Sequence, residues 1–221
     1  NYLKVTIRSL LKNKIFMTIN IAGLSLGIAC CLLIFLFVQH ELSHETFHEK
    51  KDRIFRVVRC FEKDDGSIRL NSLQPYEVAA ALREEYSSVI HSAAYMHDHI
   101  WIRHEENIFK ETVGFVDPGF LEIFSFSLLA GNPKTVFHNP YNVVITEKLA
   151  NKFFGDSDYS KVLGQTLLLP QGEQREFTIT GILKDIPKTS SLKFDALVPF
   201  EHQVGYSRQM DGNGFCTVYI E

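Results

Sequence analysis

Residues 40–44, HELSH, hold the spacing of side chains that most resembles a catalytic motif. His-Glu-x-x-His on a helix places two imidazoles one turn apart, where His40 and His44 would bind zinc while Glu41 acts as the base of a protease. His48 extends the row, but it falls two residues short of the usual third histidine of that motif. We interpret the stretch as a polar stalk. A zinc metalloprotease, or adventitious metal binding by the three histidines, stays the alternative.

Other chemical motifs are absent from the sequence. The histidines at 91, 97, 99 and 104 alternate with apolar residues, which favours a solvated strand face over a metal cluster. The chain lacks a Gly-x-x-x-x-Gly-Lys-Ser/Thr loop for ATP and a Gly-x-Ser-x-Gly nucleophile turn. Its isoelectric point near 6.3 argues against nucleic acid binding. We therefore predict a non-enzymatic protein with no catalytic, metal-binding or cofactor-binding residues of its own.

A long apolar segment precedes most of these residues. From Ile15 to Val38 there are 24 residues without a charged side chain. As a helix the segment would measure roughly 36 Å at about 1.5 Å per residue, enough to cross a hydrocarbon core of about 30 Å. A signal peptide has a shorter apolar region and a small-residue cleavage site, and neither is found here. We predict a retained transmembrane helix over residues 15–38.

The flanking charges predict the orientation of this helix. Residues 1–14 carry Lys4, Arg8, Lys12 and Lys14 and no acid, which leaves 19 basic and 26 acidic residues in the remainder. Because basic residues next to a span stay in the cytoplasm, we expect a cytoplasmic N-terminus and an extracytoplasmic remainder. The same charges also fit a basic amphipathic helix at an anionic membrane surface, and the two interpretations are compatible.

Within the predicted span, Gly23 and Gly27 form a Gly-x-x-x-Gly pair. Together with Ala22, Ser25 and Ala29, the pair gives the helix a side with only small side chains, which another helix could approach closely. Glycine is also common in spans generally, so simple tolerance stays an alternative. Gly23 and Gly27 are the predicted packing residues.

Downstream of the span, about 180 residues are enough for one substantial domain or two small lobes. Helix-like runs lie at 75–86, with a proline in its first turn, at 117–126, and at 146–155, with Thr146 as N-cap and Gly155 as C-cap. The uneven alternation of helices and strands predicts a mixed α+β fold. The strand-like runs are 53–61, 108–116, 142–146, 165–169, 176–183, 194–200 and 216–221.

Four cysteines offer little guidance to the fold. Cys30 and Cys31 lie in the apolar segment and are most simply small apolar residues. Cys60 and Cys216 lie in predicted strands outside the cytoplasm, where a disulfide could form. We interpret these two as buried free thiols and keep the disulfide as an alternative.

Many short motifs occur in an order that resembles one family. A basic NYLKVTIRSLLKNKIF start leads into INIAGLSLGIACCLLIFLFVQHELS, followed by FHEKKDRIFRVV, VDPGFLEIFSFSLLAGNPKT, NVVITEKLANKFFG, VLGQTL and FTITGILKDIPKTSSLKFDALVPF. Together they resemble the first half of an ABC-transporter permease of the MacB-like and FtsX-like class, in the variant found in Bacteroidota. In that variant the exit from the span reads as DELSYDRFHE. His40 and His44 replace its acid and its aromatic residue, which supports interpreting HELSH as coincidence.

The resemblance implies a subunit with four spans and a two-lobed mixed α/β extracytoplasmic core domain between spans one and two. It also implies a second permease subunit, a separate ATPase that binds the ATP, contact with membrane lipid, and a periplasmic partner protein. ATP-driven closure would move the external domains in efflux or in mechanotransmission. The chain would be the N-terminal part of such a subunit in the bacterial inner membrane, its core facing the periplasm.

On this interpretation the chain divides into four parts. Residues 1–14 are a cytoplasmic basic amphipathic segment, 15–38 the transmembrane helix, 39–52 the stalk, and 53–221 the core domain, truncated at its C-terminal end. A single-span adhesion or sensor module is a third function class, disfavoured because the sequence has no cytoplasmic domain. Three further apolar runs downstream of residue 221 would identify the permease.

Overall fold

A computed structural model describes residues 14–155, 158–171, 173–200 and 215–221. The chain divides into two compact units, Asn1–His44 and Glu45–Glu221. The first contains helix α1, Lys14–Leu42, none of whose residues is buried. It is the one helix among the described residues that is long and apolar enough to cross a membrane by length and composition. The predicted apolar helix is therefore present; Lys4, Arg8 and Lys12 lie outside the described residues.

The second unit is a mixed α/β domain, as predicted. Its helices are Glu77–Glu85 (α2), Phe120–Ile123 (α3), Glu147–Phe154 (α4) and Tyr159–Val162 (α5). Its strands are Phe55–Arg56 (β1), Arg59–Glu62 (β2), Ile68–Asn71 (β3), Leu73–Pro75 (β4), Ser92–His104 (β5), Asn107–Val116 (β6), Leu128–Gly131 (β7), Asn142–Thr146 (β8), Thr166–Gln171 (β9), Glu173–Leu183 (β10), Ala196–Pro199 (β11) and Phe215–Ile220 (β12).

Ten of these strands form one mixed sheet in the described part of the chain, ordered β1-β12-β5-β6-β11-β8-β10-β7, with β4 beside β12. Two neighbouring pairs, β8 with β10 and β6 with β11, are parallel, and the other pairs are antiparallel. Strand β9 pairs with β10 and also, at Arg103 and Leu168, with β5. Six strands therefore close on themselves, which removes most exposed edges.

The centre of the sheet follows directly from local sequence. Strand β8, NVVIT, is buried at every residue, as expected for an apolar run between two other strands. Thr146 then caps α4, because its side chain accepts a hydrogen bond from the Leu149 amide. Gly155 ends that helix at φ 69°, a left-handed conformation that favours glycine. The predicted strand and both predicted caps are confirmed.

Two apolar clusters make up the core. One joins β5, β6, β9 and β10 to α4 and includes Ile102, Phe115 and Phe177. The other is rich in aromatic rings and includes Phe120, Phe124 and Phe194. Ile54 and Tyr219 pack against this aromatic cluster, which therefore lies next to the first residues of the domain.

The run predicted as one strand at 53–61 is two strands in different sheets. β1 pairs with β12 in the main sheet, and β2 pairs with β3 in a separate two-stranded sheet. The Val57 amide still bonds to Val218 O at 2.9 Å, after which the chain leaves the main sheet. Pairs of apolar residues separated by single arginines continue through this point, so the break has no signal in the local sequence.

Two predicted helices are shorter than expected. The helix at 75–86 begins only at Glu77, because Pro75 is the last residue of β4 and pairs with Phe215. The helix at 117–126 spans only Phe120–Ile123. The Asp117 carboxylate accepts a hydrogen bond from the Ala94 amide at 2.8 Å, which holds the start of this segment against β5.

Several strands are missing from the prediction. β3, β4 and β7 are short, with three or four residues each, and such short runs show no clear hydrophobic period. β5 is the longest strand described, at 13 residues. In the sequence it is indicated only by the alternation of its histidines with apolar residues.

Candidate functional site: the root of the core domain

The structure describes all five HELSH residues, at the end of α1 and just after it. His40 and His44 have ring centroids 5.1 Å apart. The described residues contain no group of three His, Cys, Asp or Glu side chains arranged to hold a metal ion. His48 has other contacts, since both of its ring nitrogens face protein groups, Ser125 N and Glu45 Oε2.

The strand histidines are spread over several local contacts. His97 and His99 lie on the exposed face of β5, and His99 Nδ1 is 3.2 Å from Thr112 Oγ1. His104 Nδ1 is 2.9 Å from Thr166 O, and His91 Nδ1 is 2.9 Å from a carboxylate oxygen of Glu122. The interpretation as a solvated strand face therefore fits His97 and His99, which are exposed, while His91 and His104 are half-buried.

Several long-range polar contacts involve residues 45–56, which we call the root segment. It begins at Glu45, whose φ of 55° is unusual for a residue other than glycine. The Glu45 amide donates to Thr189 O at 3.2 Å, and its carboxylate accepts a hydrogen bond from the Ser191 amide. A strained backbone conformation persists where surrounding contacts determine it, as they do here.

His48 is the buried centre of the root segment, with 3% of its surface exposed. Its ring lies against Phe47, Phe124 and Phe126, with centroids 4.0–5.1 Å apart. Nδ1 accepts a hydrogen bond from the Ser125 amide at 3.1 Å. A ring nitrogen that accepts carries no proton, so the network assigns the proton of His48 to Nε2, which lies 3.1 Å from Glu45 Oε2.

The charges at this end of the root segment are well defined. Burial raises the pKa of Glu45, but hydrogen bonds from His48 and Ser191 outweigh it and lower the pKa to about 2. Glu45 is therefore ionised throughout the neutral range. Burial raises the pKa of Tyr219, so its hydroxyl stays protonated.

The other end of the root segment is attached to Glu221. The Glu221 side chain is 2% exposed, and its two oxygens lie 2.5 Å from Lys50 Nζ and 3.1 Å from Arg53 Nη2. Lys50 also donates to Glu122 O at 2.9 Å. Two cations and one buried carboxylate satisfy one another, as a charge in such a position requires.

Strand pairing brings the same two places together. β1 runs antiparallel to β12, with Phe55 opposite Ile220 and Arg56 opposite Tyr219. The residues that begin the domain therefore lie beside residue 221. A pocket of about 210 Å³ opens here between the root segment and the residues it packs on, Phe124, Ser191 and Tyr219.

The sequence alone does not predict these contacts of the root segment. Glu45 and His48 are spaced by three residues, and HEKKDR at 48–53 is rich in charge. Both features also occur in ordinary solvated segments. Their partners, Ser125, Ser191 and Glu221, lie at least 76 residues away in the chain, and no local pattern reveals them.

The cysteines contradict the prediction in part. Among the described residues all four are free thiols. Cys216 is buried, and burial raises its pKa to about 12. Cys60 is exposed, so the prediction of two buried thiols is right for Cys216 and wrong for Cys60. The cause is the departure of β2 from the main sheet.

Gly23, Gly27 and Lys14 are in α1, with Lys14 as its first residue. A Cβ placed on either glycine would meet nothing within 4 Å among the described residues. Close packing at the glycine pair therefore stays a prediction.

Comparison with known proteins gives a consistent picture. The family model of the MacB-like periplasmic core domain matches residues 17–220. A domain of a permease protein from Porphyromonas gingivalis superposes with a TM-score of 0.65 at 24% identity, over 80% of this chain and 76% of that one. No curated protein is similar enough to count as a match.

Two further solved structures share the fold at lower identity. The extracellular domain of the ABC-type transporter YknZ from Gram-positive bacteria has a TM-score of 0.53 at 16% identity, with 76% of this chain and 82% of that one covered. The periplasmic region of MacB from Actinobacillus actinomycetemcomitans has a TM-score of 0.52 at 12% identity, with 79% and 78% covered.

Proposed function

The chain belongs to the family of the MacB-like periplasmic core domain, and from that premise we propose that it is the N-terminal part of a permease subunit of an ABC transporter. In this proposal a partner ATPase binds and hydrolyses ATP in the cytoplasm. The resulting movement of the membrane helices is passed through the root segment to the core domain, in efflux or in mechanotransmission.

The observation that carries this proposal is the attachment of the root segment at three places. Glu45 bonds to residues 189–191, His48 and Glu49 bond to Ser125, and Lys50 and Arg53 bond to Glu221. A segment held by several hydrogen bonds to charged groups resists displacement, since each contributes about 1.5–3 kcal/mol. A pull on residue 45 would therefore be transmitted to the sheet rather than absorbed by a flexible linker.

Strand pairing adds a further attachment. β1 and β12 are neighbours, so a movement of the root segment would reach the main sheet through β1 as well as through the polar contacts. The four basic residues of positions 1–14 favour a cytoplasmic N-terminus, and this supports the proposal of an inner-membrane protein whose core faces the periplasm.

The partners follow from the same proposal. A second permease subunit, or the further spans of this one, would pack against α1 at Gly23 and Gly27, because small residues let helix backbones approach. Membrane lipid surrounds the remainder of the helix, and a periplasmic protein would receive the movement of the core.

The test uses the full-length permease with its ATPase in lipid nanodiscs. A spin label on the exposed Cys60, with Cys30 and Cys31 replaced by serine, reports the distance between core domains of paired subunits. We expect this distance to change when the ATPase is trapped with nucleotide. A Gly-Gly-Ser insertion between His44 and Glu45 should abolish the change while ATP binding persists.

The matched control is the same insertion between Asp65 and Gly66, in the exposed β2–β3 turn. It lengthens the chain equally but leaves the root segment intact, so the nucleotide-dependent change should remain. A core that does not move in the unmodified protein, or that moves equally with the insertion after His44, would contradict the proposal.

A further inference from the structure

We propose that His48 is a positioning residue whose protonation releases the loop after α3 from the root segment, so that the attachment of the root is controlled by pH. The proposal rests on the proposed function for its consequence in transport. The structural part, a proton-dependent contact, stands on the geometry of His48 alone.

The first step is the direction of the hydrogen bonds. His48 Nδ1 accepts a hydrogen bond from the Ser125 amide. The direction is fixed because a backbone N–H can act only as a donor. A proton added to the ring would occupy Nδ1 and place two donors face to face at a separation of 3.1 Å. Protonated His48 and an intact Ser125 contact are therefore incompatible.

The second step concerns the other groups that face the ring. Glu45 lies on the same segment, Lys51 and Arg56 line the adjacent pocket, and Tyr219 faces it from β12. From the loop after α3 the described contacts to the ring come from Phe124, Ser125 and Phe126, and none of these side chains titrates. Glu45 is therefore the only anion in this set.

Glu45 makes the change a switch between two partners. With a pKa of about 2, it stays ionised at every pH well above that value. A proton on His48 therefore retains the contact with Glu45, as an ion pair, and loses the contact with Ser125. The root segment keeps its hydrogen bonds to residues 189–191 and loses one of its hydrogen bonds to the loop after α3.

Ser125 is the point at which this loss has a structural effect. Its hydroxyl accepts from the Glu49 amide at 3.1 Å, and its amide donates to His48. The serine thus makes two bonds to the root segment. When one of them is lost, the loop from Phe124 to Phe126 opens more often, while Lys50 still bonds to Glu122 O.

The experiment measures hydrogen exchange of the loop in the full chain, in nanodiscs and without ATPase. Peptides that contain residues 124–126 are compared at about pH 5 and about pH 8, after correction for the intrinsic rate. We expect protection of the Ser125 amide to fall on the order of tenfold at the lower pH, the effect of losing one hydrogen bond.

Two substitutions separate the roles of the two ring nitrogens. His48→Asn keeps an acceptor at the δ position and does not titrate. Protection of the Ser125 amide in this variant should therefore be the same at both pH values. His48→Gln offers a donor toward Glu45 but no δ acceptor, so protection should be low at both. His99→Asn, on the exposed face of β5, should behave as the unmodified chain does.

Equal protection at both pH values in the unmodified chain would overturn the proposal, whether or not the variants fold. An unchanged pH response in His48→Asn would overturn it too. Neither result depends on transport. A protein that shows the switch but no nucleotide-driven movement would instead contradict the proposed function alone.

Discussion

Two neighbouring parts of this chain are built in opposite ways. The root segment, residues 45–56, bonds to residues that are 72 to 171 positions away in the sequence. The β2–β3 hairpin, residues 59–71, pairs within itself. The difference indicates which segment can transmit movement, because distant partners join a segment to the whole domain and local partners do not.

The hairpin contacts the rest of the domain at its open end, where Arg59 pairs with Asn71. The guanidinium of Arg59 lies 5.2 Å from the ring centre of Phe61 and 5.9 Å from that of Phe215, and it donates to Leu73 O. Asn71 accepts hydrogen bonds from the Leu73 amide and from Gln74 Nε2. On the opposite face, Ile68 and Leu70 are 71% and 62% exposed. In its described contacts the hairpin is therefore attached at this end, to β4 and β12, and it buries little apolar surface.

The carboxylates of Asp65 and Glu45 show the same contrast between the hairpin and the root segment. Hydrogen bonds lower the pKa of Asp65 in the hairpin turn, mainly through Ser67. Glu45 in the root segment also has a lowered pKa, but there the hydrogen bonds act against burial. Solvent screens Asp65 much more effectively, so Glu45 should contribute more to stability.

Among substitutions in the root segment and the hairpin, the largest expected effect is that of Lys50→Ala. This change leaves the buried Glu221 carboxylate with Arg53 as its remaining cation and removes the bond to Glu122 O. We expect the free energy of unfolding to fall by about 1.5–3 kcal/mol, the value of hydrogen bonds to a charged group. Chemical denaturation of the full chain, followed by tyrosine and tryptophan fluorescence, measures it.

The matched control is Lys63→Ala in the hairpin. The Lys63 amide bonds to Ser67 O, and the side chain is exposed, so the expected change is within about 0.5 kcal/mol. Equal effects of the two lysine substitutions would remove the distinction between root segment and hairpin.

A smaller effect, with a defined pH dependence, is expected for Glu45→Gln. Because the pKa of Glu45 is about 2 in the folded protein against an ordinary 4.5, its charge stabilises the fold above about pH 4.5. That contribution is lost as the pH falls toward 2. The unmodified chain should therefore be more stable than Glu45→Gln at neutral pH, and the difference should vanish near pH 2.

Asp65→Asn serves as the control for this titration. Its carboxylate is fully exposed, so its removal should leave the acid limb of the stability curve nearly unchanged. The measurement is the unfolding free energy at a series of pH values. A Glu45→Gln chain with the same pH dependence as the unmodified one would show that this carboxylate is not held as the structure indicates.

The fold could be predicted where local sequence and burial agree. The apolar helix at 15–38, strand β8 with its continuous apolar run, and the caps of α4 at Thr146 and Gly155 all follow from short-range rules. The break between β1 and β2 could not be predicted, because the apolar pattern continues through Val57 and Val58. Pairing with a strand about 160 residues away decides it.

The candidate site was less accessible to prediction. The sequence motif consists of His40, Glu41 and His44, and the described residues offer no further ligands that would complete a metal site with them. The proposed function depends instead on Glu45, His48 and their distant partners. The burial of His48 follows from its contacts with Ser125 and Phe126, and both residues are distant in the sequence. The charged residues of 45–53 look the same in a solvated stalk and in an attached one.

The smallest expected effect completes the contrast. Replacing both Ile68 and Leu70 by serine removes apolar side chains that are already mostly in solvent, so little transfer free energy is lost. Strand propensity accounts for the remainder, and we expect a fall of at most about 1 kcal/mol in the free energy of unfolding. The same change at a buried position, Leu167→Ser in β9 (0% exposed), should cost several-fold more, because it leaves a cavity and buries a hydroxyl. Denaturation of the three chains side by side measures both. A loss from the hairpin variant as large as that from Leu167→Ser would mean that these two side chains are covered in the intact protein. The hairpin would then be as firmly attached as the root segment.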